Sequence, residues 1–182
     1  MSAVRYAMAI DTRTCVGCTA CVTACKTEND VADGFSRDWI TTAVRGRFPD
    51  LSMEIHSERC NHCEDAPCVS VCPTGASYVG PGGIVLVEQS KCSGCKACIA
   101  ACPYDARFVD PRTGAVDKCT FCVHRISIGI PTTACQAVCP TESIWFGDLN
   151  DPDSAISRVM SRREHVALLP EAGTGPRHYY LR

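Results

Sequence analysis

The run from Lys91 to Pro103, KCSGCKACIAACP, constrains this chain more than any other stretch. It places Cys92, Cys95, Cys98 and Cys102 at the spacing C-x-x-C-x-x-C-x-x-x-C and closes on a proline. Three further runs accompany it: Cys15, Cys18, Cys21 and Cys25; Cys60, Cys63, Cys68 and Cys72; and Cys119, Cys122, Cys135 and Cys139. All 16 cysteines are used, four to a run. The 46% hydrophobic content counts these cysteines, so the ordinary apolar core of a 182-residue chain is thin. Cross-links, disulfide or metal, must supply much of its stability.

Three chemistries compete for the thiols. A disulfide framework belongs to an oxidising compartment, and closely spaced C-x-x-C-x-x-C runs give poor bridging geometry. Structural zinc prefers two C-x-x-C pairs held well apart, each supplying half a tetrahedron. Here three thiols crowd into one loop, in the first and third runs at least. That suits three corners of a 4Fe–4S cube, and the spacing is the bacterial iron–sulfur one, whose fourth cysteine ligates a different cluster. A chain that turns helical after the third cysteine carries the fourth about one turn further, pointing away from its own loop. Pro73, Pro103 and Pro140 would end three of these helices. Lys26 follows Cys25 instead, so the first helix is expected to continue through KTEND to near Asp33–Gly34.

The rest of the chain reads as scaffold. Alternation at Val4, Tyr6, Met8 and Ile10 predicts a strand delivering the first run. Residues 30–58 hold no cysteine and carry Trp39, Arg45, Arg47, a turn at Pro49–Asp50 and a candidate strand over Met53–His56. A hairpin is predicted from Ala76–Val79 and Ile84–Val87 around Gly80–Gly83, and a second from Ala106–Val109 and Ala115–Asp117. This "CP, strand, turn, strand, C" order reads as an internal repeat. Ser143–Phe146 reads as a last strand, Asp151–Pro152 as the start of a helix through Arg163, and the tail from Leu168 as extended. The fold class expected is α+β. Two ferredoxin-like modules of short hairpins and helices surround the clusters, with the cysteine-free insertion and the extended C-terminal tail added.

Several functions are disfavoured. A net charge of −2 supplies no field for nucleic acid. MSAVRYAMAI shows neither an apolar export core nor a twin-arginine, and no apolar stretch approaches the ~20 residues of a spanning helix. Membrane association is therefore expected through a partner alone. No nucleophile–base set and no G-x-x-x-x-G-K loop is present, so no residue reads as catalytic. A radical enzyme would need C-x-x-x-C-x-x-C, which no run has. A zinc-held scaffold and a soluble polyferredoxin remain as rivals. With four cysteines in its run, His62 reads as a hydrogen-bonded loop histidine rather than a ligand. Lys91 and Lys96 flank the third run, where they either favour a reduced cluster or are merely solvated. Trp39 and Tyr179–Tyr180 fit either partner docking or burial in the chain's own modules.

Across nearly its whole length the chain resembles the four-cluster iron–sulfur subunits of molybdopterin oxidoreductases of the DMSO reductase family, above all the polysulfide or thiosulfate reductase subunit. The carrying segments are YAMAIDTRTCVGCTACVTACKTEN, RCNHCEDAPCVSVCPTGASY, KCSGCKACIAACPYDAR, DKCTFCVHR, CQAVCPTESIWFGDLNDPDS and PRHYYL. The resemblance implies four 4Fe–4S clusters with the first run paired to the fourth and the second to the third. Cluster one would take Cys15, Cys18, Cys21 and Cys139; cluster two Cys119, Cys122, Cys135 and Cys25. Cluster three would take Cys60, Cys63, Cys68 and Cys102; cluster four Cys92, Cys95, Cys98 and Cys72. Some relatives carry tryptophan for the second cysteine of the third run and hold a three-iron cluster; Cys95 here implies four cubes. Residues 1–56 and 106–147 would form one module, 57–105 a second nested inside it, and 148–182 a helix and tail. The implied partners are a molybdopterin-containing catalytic subunit and a multi-helix, quinone-reactive membrane subunit. The implied location is the periphery of the cytoplasmic membrane, on the outer, periplasmic side if the chain is exported with its catalytic partner.

Overall fold

A computed structural model describes residues 3–182. Along the chain run β1 (Tyr6–Asp11), α1 (Ala20–Glu28), β2 (Asp38–Arg47), β3 (Asp50–Arg59), α2 (Pro67–Ser70), β4 (Ser77–Val79) and β5 (Val85–Val87). Then come α3 (Ala97–Ala100), β6 (Phe108–Val109), β7 (Val116–Asp117), α4 (Val123–Ser127), α5 (Ala134–Ala137), β8 (Ile144–Asp148), α6 (Ala155–Met160), β9 (His165–Val166) and β10 (His178–Leu181). The result is a small mixed α/β structure of short helices and strand pairs.

The largest sheet has the order β8-β1-β10-β9. Strand β1 pairs antiparallel with β8 and parallel with β10. It is buried on both faces, and its alternation divides the interior. Met8 and Ile10 face the main core with Ile84, Val85, Phe121, Phe146 and Tyr180, among the cysteines. Ala7 and Ala9 face a smaller cluster with Ile156 of α6 and Leu181 of β10. Small alanines there let α6 lie close against the strand.

The insertion folds as one long hairpin, β2 on β3, in unbroken antiparallel register from Asp38↔Arg59 out to Arg47↔Asp50. The expected strand over Met53–His56 lies within β3; its partner β2, rich in β-branched residues, escaped the sequence reading. At the hairpin base Ile40 and Ile55 lie against Gly17 of the first cysteine loop. The outer part exposes Val44, Leu51 and Met53, with Phe48 at the tip 89% exposed.

Three expectations need correcting. Helix α1 stops at Glu28, because the Asn29 backbone and side-chain amides both donate to the Cys25 carbonyl and Asp30 turns left-handed (φ 46°). Helix α6 covers Ala155–Met160 rather than reaching Arg163, and it starts after Ser154, whose Oγ accepts from the Ser157 N–H at 3.2 Å. The C-terminal segment is extended at its end but is not a loose tail. His178–Leu181 lies inside the main sheet, and Ser143–Phe146 is followed by two further strands. Both predicted short hairpins are present, β4 on β5 and β6 on β7.

The C-terminal segment is also held electrostatically. Arg163 donates to both carboxylate oxygens of Asp11, at the end of β1. Partial burial alone would raise the Asp11 pKa, but Arg163 and the Arg13 N–H outweigh it and hold the carboxyl below its usual value. A depressed carboxylate stabilises above the unfolded value of about 3.9 and loses that contribution as the pH falls through the folded one. The stability deficit of Arg163→Ala should therefore be constant from pH 7 to 5 and shrink in stronger acid, as read from denaturant midpoints. Leu181→Ala, which empties a fully buried site, should cost about 2–5 kcal/mol, seen as a lower thermal midpoint at every pH.

Candidate metal centres

The four cysteine runs share a backbone form. In each, the residue before the second cysteine is left-handed: Gly17 (φ 65°), His62 (φ 44°), Gly94 (φ 68°) and Phe121 (φ 51°). In the first and third runs the residue after that cysteine is left-handed as well, Thr19 at 61° and Lys96 at 63°. Such conformations disfavour bulky L-residues and mark a loop curled more tightly than propensity alone would give. A Cβ at Gly94 would come within 2.9 Å of the Gly114 carbonyl oxygen, so this position also needs glycine for space. The third cysteine of each run stands second in a short helix: Cys21 in α1, Cys68 in α2, Cys98 in α3 and Cys135 in α5. The fourth cysteine follows four residues later, inside α1 for Cys25 and just beyond the helix for Cys72, Cys102 and Cys139.

These helices bring the runs together in pairs: α1 packs on α5, and α2 on α3. Cys25 lines one small cavity together with Cys119, Cys122 and Cys135. Burial, followed by repulsion from Cys60, Cys68 and Cys102, pushes the Cys63 thiol up to about 11. Burial likewise pushes Cys119 up to about 12. Cys139 accepts from the Ser143 N–H at 3.3 Å, and the Ser143 hydroxyl meets Thr14 beside Cys15 at 2.8 Å. Cys72 accepts from the Ser77 N–H and Cys92 from the Val116 N–H, both at 3.4 Å. Cys18 and Cys95 are exposed, while Cys21, Cys25, Cys60, Cys63, Cys68, Cys98, Cys119, Cys122 and Cys135 are buried. All 16 cysteines are free of disulfides. Among the described residues no three His, Cys, Asp or Glu side chains converge as a single-ion site.

Three buried cations stand among these sulfurs. Arg59 donates to Cys135 Sγ at 2.9 Å and to Ser57 Oγ, which in turn lies 3.5 Å from Cys21 Sγ. Arg107 donates to Cys68 Sγ at 2.8 Å and to Ser77 Oγ at 3.0 Å. Lys118 donates to the carbonyls of Val85 and Cys119. Burial alone would drive the Arg107 pKa down, yet Cys68, Cys60 and Cys98 reverse this and hold it above the usual arginine value. Burial pulls Lys118 down, opposed by Cys60, Cys119 and Cys68. Among the described residues Asp38, at 3.8 Å, is the one carboxylate at salt-bridge distance from Arg59. Among the described residues neither Arg59 Nε nor Arg107 Nη1, both buried, has a hydrogen-bond partner.

These features fit an anionic iron–sulfur cluster in each thiol set. Metal ligation requires thiolates, whereas burial disfavours charge on them. The reverse holds for the cations, since an uncompensated buried charge costs several kcal/mol. Bound iron would hold the thiols in their charged form, and Arg59, Arg107 and Lys118 would then stand beside the counter-charge that burial denies them. Stripping the iron with a chelator is therefore expected to abolish cooperative unfolding and expose the thiols to alkylation. A metal-free chain that kept its thermal midpoint would contradict this.

Of the other residues singled out in the sequence, His62 is fully buried; its Nδ1 accepts from the Val85 N–H at 3.1 Å and its ring stacks on Phe121 at 3.7 Å. Lys91 and Lys96 are exposed, so solvent screens them. Trp39 packs against the main core and Tyr180 lies in it, which favours the burial reading for both. Arg45 and Arg47 are exposed on the hairpin. Arg59, Arg107 and Lys118 escaped the sequence reading. A basic residue precedes the first cysteine in three runs, Arg59, Lys91 and Lys118, but nothing local separates the two that are buried from the one in solvent.

Comparison with known proteins accords with this chemistry. Two models described as 4Fe-4S dicluster domain match, one over residues 51–149 and another over 14–77. The chain is 45% identical over 180 residues to a subunit of the polysulfide reductase of Wolinella succinogenes, covering 97% of this chain and 94% of that one. It is 44% identical over 181 residues to the thiosulfate reductase electron transfer subunit PhsB of Salmonella typhi, covering 98% and 92%. It is 42% identical over 181 residues to protein NrfC of Escherichia coli K12, covering 98% and 81%. The chain belongs to the 4Fe-4S dicluster family and is an iron–sulfur electron-transfer subunit whose 16 cysteines fit four 4Fe–4S clusters.

Proposed function

We propose that the chain relays electrons along a line of four clusters between a quinone-reactive membrane subunit and a molybdopterin catalytic subunit of a respiratory reductase. The clusters, when bound, supply outer-sphere one-electron transfer; the chain holds them, buries them and sets their surroundings. Cluster one is held by Cys15, Cys18, Cys21 and Cys139, and cluster two by Cys25, Cys119, Cys122 and Cys135. Cluster three is held by Cys60, Cys63, Cys68 and Cys102, and cluster four by Cys72, Cys92, Cys95 and Cys98. Residues 1–56 with 106–147 then form one module, a repeat of the 57–105 module nested within it, and 148–182 close the structure. The observation that carries this reading is the cavity shared by Cys25 with three cysteines of the fourth run.

The burial pattern supports a line. The sets assigned to clusters two and three are buried but for the half-buried Cys102, whereas the sets for clusters one and four each contain an exposed cysteine. Electrons thus enter and leave at the ends. The first end continues onto the hairpin β2–β3, whose exposed Val44, Leu51 and Met53 share the face that carries Ile40 and Ile55 against the first loop. An apolar surface of that kind suits a partner subunit, and the catalytic one is assigned to it. The fourth end is then left for the membrane subunit, on the outer side of the cytoplasmic membrane. Among the described residues no helix is long and apolar enough to cross a membrane, and attachment runs through that partner.

Single replacements test the interleaving. Cys25→Ala is expected to remove the same EPR signal as Cys135→Ala, and Cys139→Ala the same signal as Cys18→Ala, each at the loss of about one cluster. If Cys25→Ala and Cys18→Ala erase one signal in common, each run holds its own cluster and the line is wrong.

A further inference from the structure

The three buried cations that stand among the sulfurs are not scattered through the core. Arg107 touches Cys68 of the third set and, in the same environment, Cys98 of the fourth; its other contact, Ser77, donates its N–H to Cys72 of the fourth. Lys118 donates to the carbonyl of Cys119 of the second set at 2.8 Å, and its charge interacts with Cys60 and Cys68 of the third. Arg59 touches Cys135 of the second set and reaches Cys21 of the first through Ser57. Each gap in the line of clusters therefore holds one cation. The outer two gaps are built alike, with an arginine and a serine spanning from one sulfur set to the next.

From this placement we propose that Arg59, Lys118 and Arg107 are intercluster charge bridges, each raising the reduction potentials of both clusters it separates. The proposal rests on the ligand sets given above. A fully thiolate-ligated cube is anionic and becomes more so on reduction, so neighbouring cubes oppose each other's electrons. A fixed cation between two such centres in a dry interior attracts the added electron on either side. Lys118 and Arg107 have no carboxylate at salt-bridge distance among the described residues, so nothing but the clusters neutralises them. Arg59 shares its charge with Asp38 at 3.8 Å and is the weakest bridge of the three. Exposed Lys91 and Lys96, by contrast, are screened by water. These are positioning residues: they act on the clusters' energies without ligating iron.

The test uses the full chain, purified anaerobically, with iron and acid-labile sulfide counted before an EPR-monitored redox titration. Arg107→Gln should lower two of the four midpoints, and Lys118→Gln two, with one midpoint common to both sets. Each shift should reach at least a tenfold loss in the reduced-to-oxidised ratio at fixed potential, about 59 mV for a one-electron couple. Arg107→Lys and Lys118→Arg, which keep the charge, should restore the wild-type values. Unchanged midpoints, a shift confined to one cluster, two sets with no member in common, or equal shifts in the charge-keeping variants would each overturn the proposal. Should a glutamine variant lose iron while its charge-keeping counterpart stays loaded, the dependence on charge is shown through occupancy; equal loss in both assigns the role to shape and refutes the bridge. A wild-type chain with fewer than four cubes would instead sink the ligand assignment, and the bridges with it.

Discussion

Negative charge has to be made bearable inside a small protein, and the structure is organised around that demand. Thiols that burial would keep protonated, Cys63 and Cys119 among them, must act as thiolates if they are to hold iron. Positive charge has to be brought in to meet them. Iron supplies part of it, and Arg59, Arg107 and Lys118 supply more from within the core. Each of these cations would by itself be a severe defect in an apolar interior. Together with anionic clusters, each is satisfied by the other. The hydrophobic core and the metal centres are therefore one structure, as the mixing of cysteines with Met8, Ile84, Phe121 and Phe146 in a single packed cluster makes plain.

The backbone answers the same demand. Curling three cysteines around one face of a cube takes left-handed residues at fixed places, and the chain tolerates even His62 and Phe121 there. Those two rings stack on each other at 3.7 Å, where the loops of the second and fourth runs meet. Burial of both rings offsets part of the strain that their conformations impose. Short helices then set each fourth cysteine four residues beyond the third. The sheet has an equivalent in β10, which returns from the C-terminus to lie parallel to β1. Distant parts of the chain are closed onto one another by the sheet and by the packing of α1 on α5 and α2 on α3.

Much of this is legible in the residues. The spacing of the four runs announces the cofactor, because the ligand geometry of a cube leaves few arrangements of cysteine in a short loop. The hairpins β4–β5 and β6–β7 are legible because Gly80–Gly83 and Asp110–Gly114 supply unmistakable turns between short apolar runs. Strand β2 is not, since its outer half is largely exposed and its half-buried base packs against other parts of the fold. Nor is the end of α1, because Asn29 caps it through a side-chain bond to Cys25 that no propensity reveals. The C-terminal HYYL reads locally as a tail because a strand parallel to the first one, some 170 residues away in sequence, leaves no local trace.

Sequence alone settled the number of cysteine runs, the kind of cofactor they fit and the mixed helix-and-strand character of the chain, since each depends on residue type and short spacing. Tertiary structure decided which runs meet, which cysteines are shielded and which cations enter the core. Lys91 and Lys118 stand in the same position before a cysteine, yet one is in water and the other fully enclosed. The difference is made by the packing of Val85 and its neighbours around Lys118, and electrostatic strength depends on that enclosure far more than on the identity of the charge.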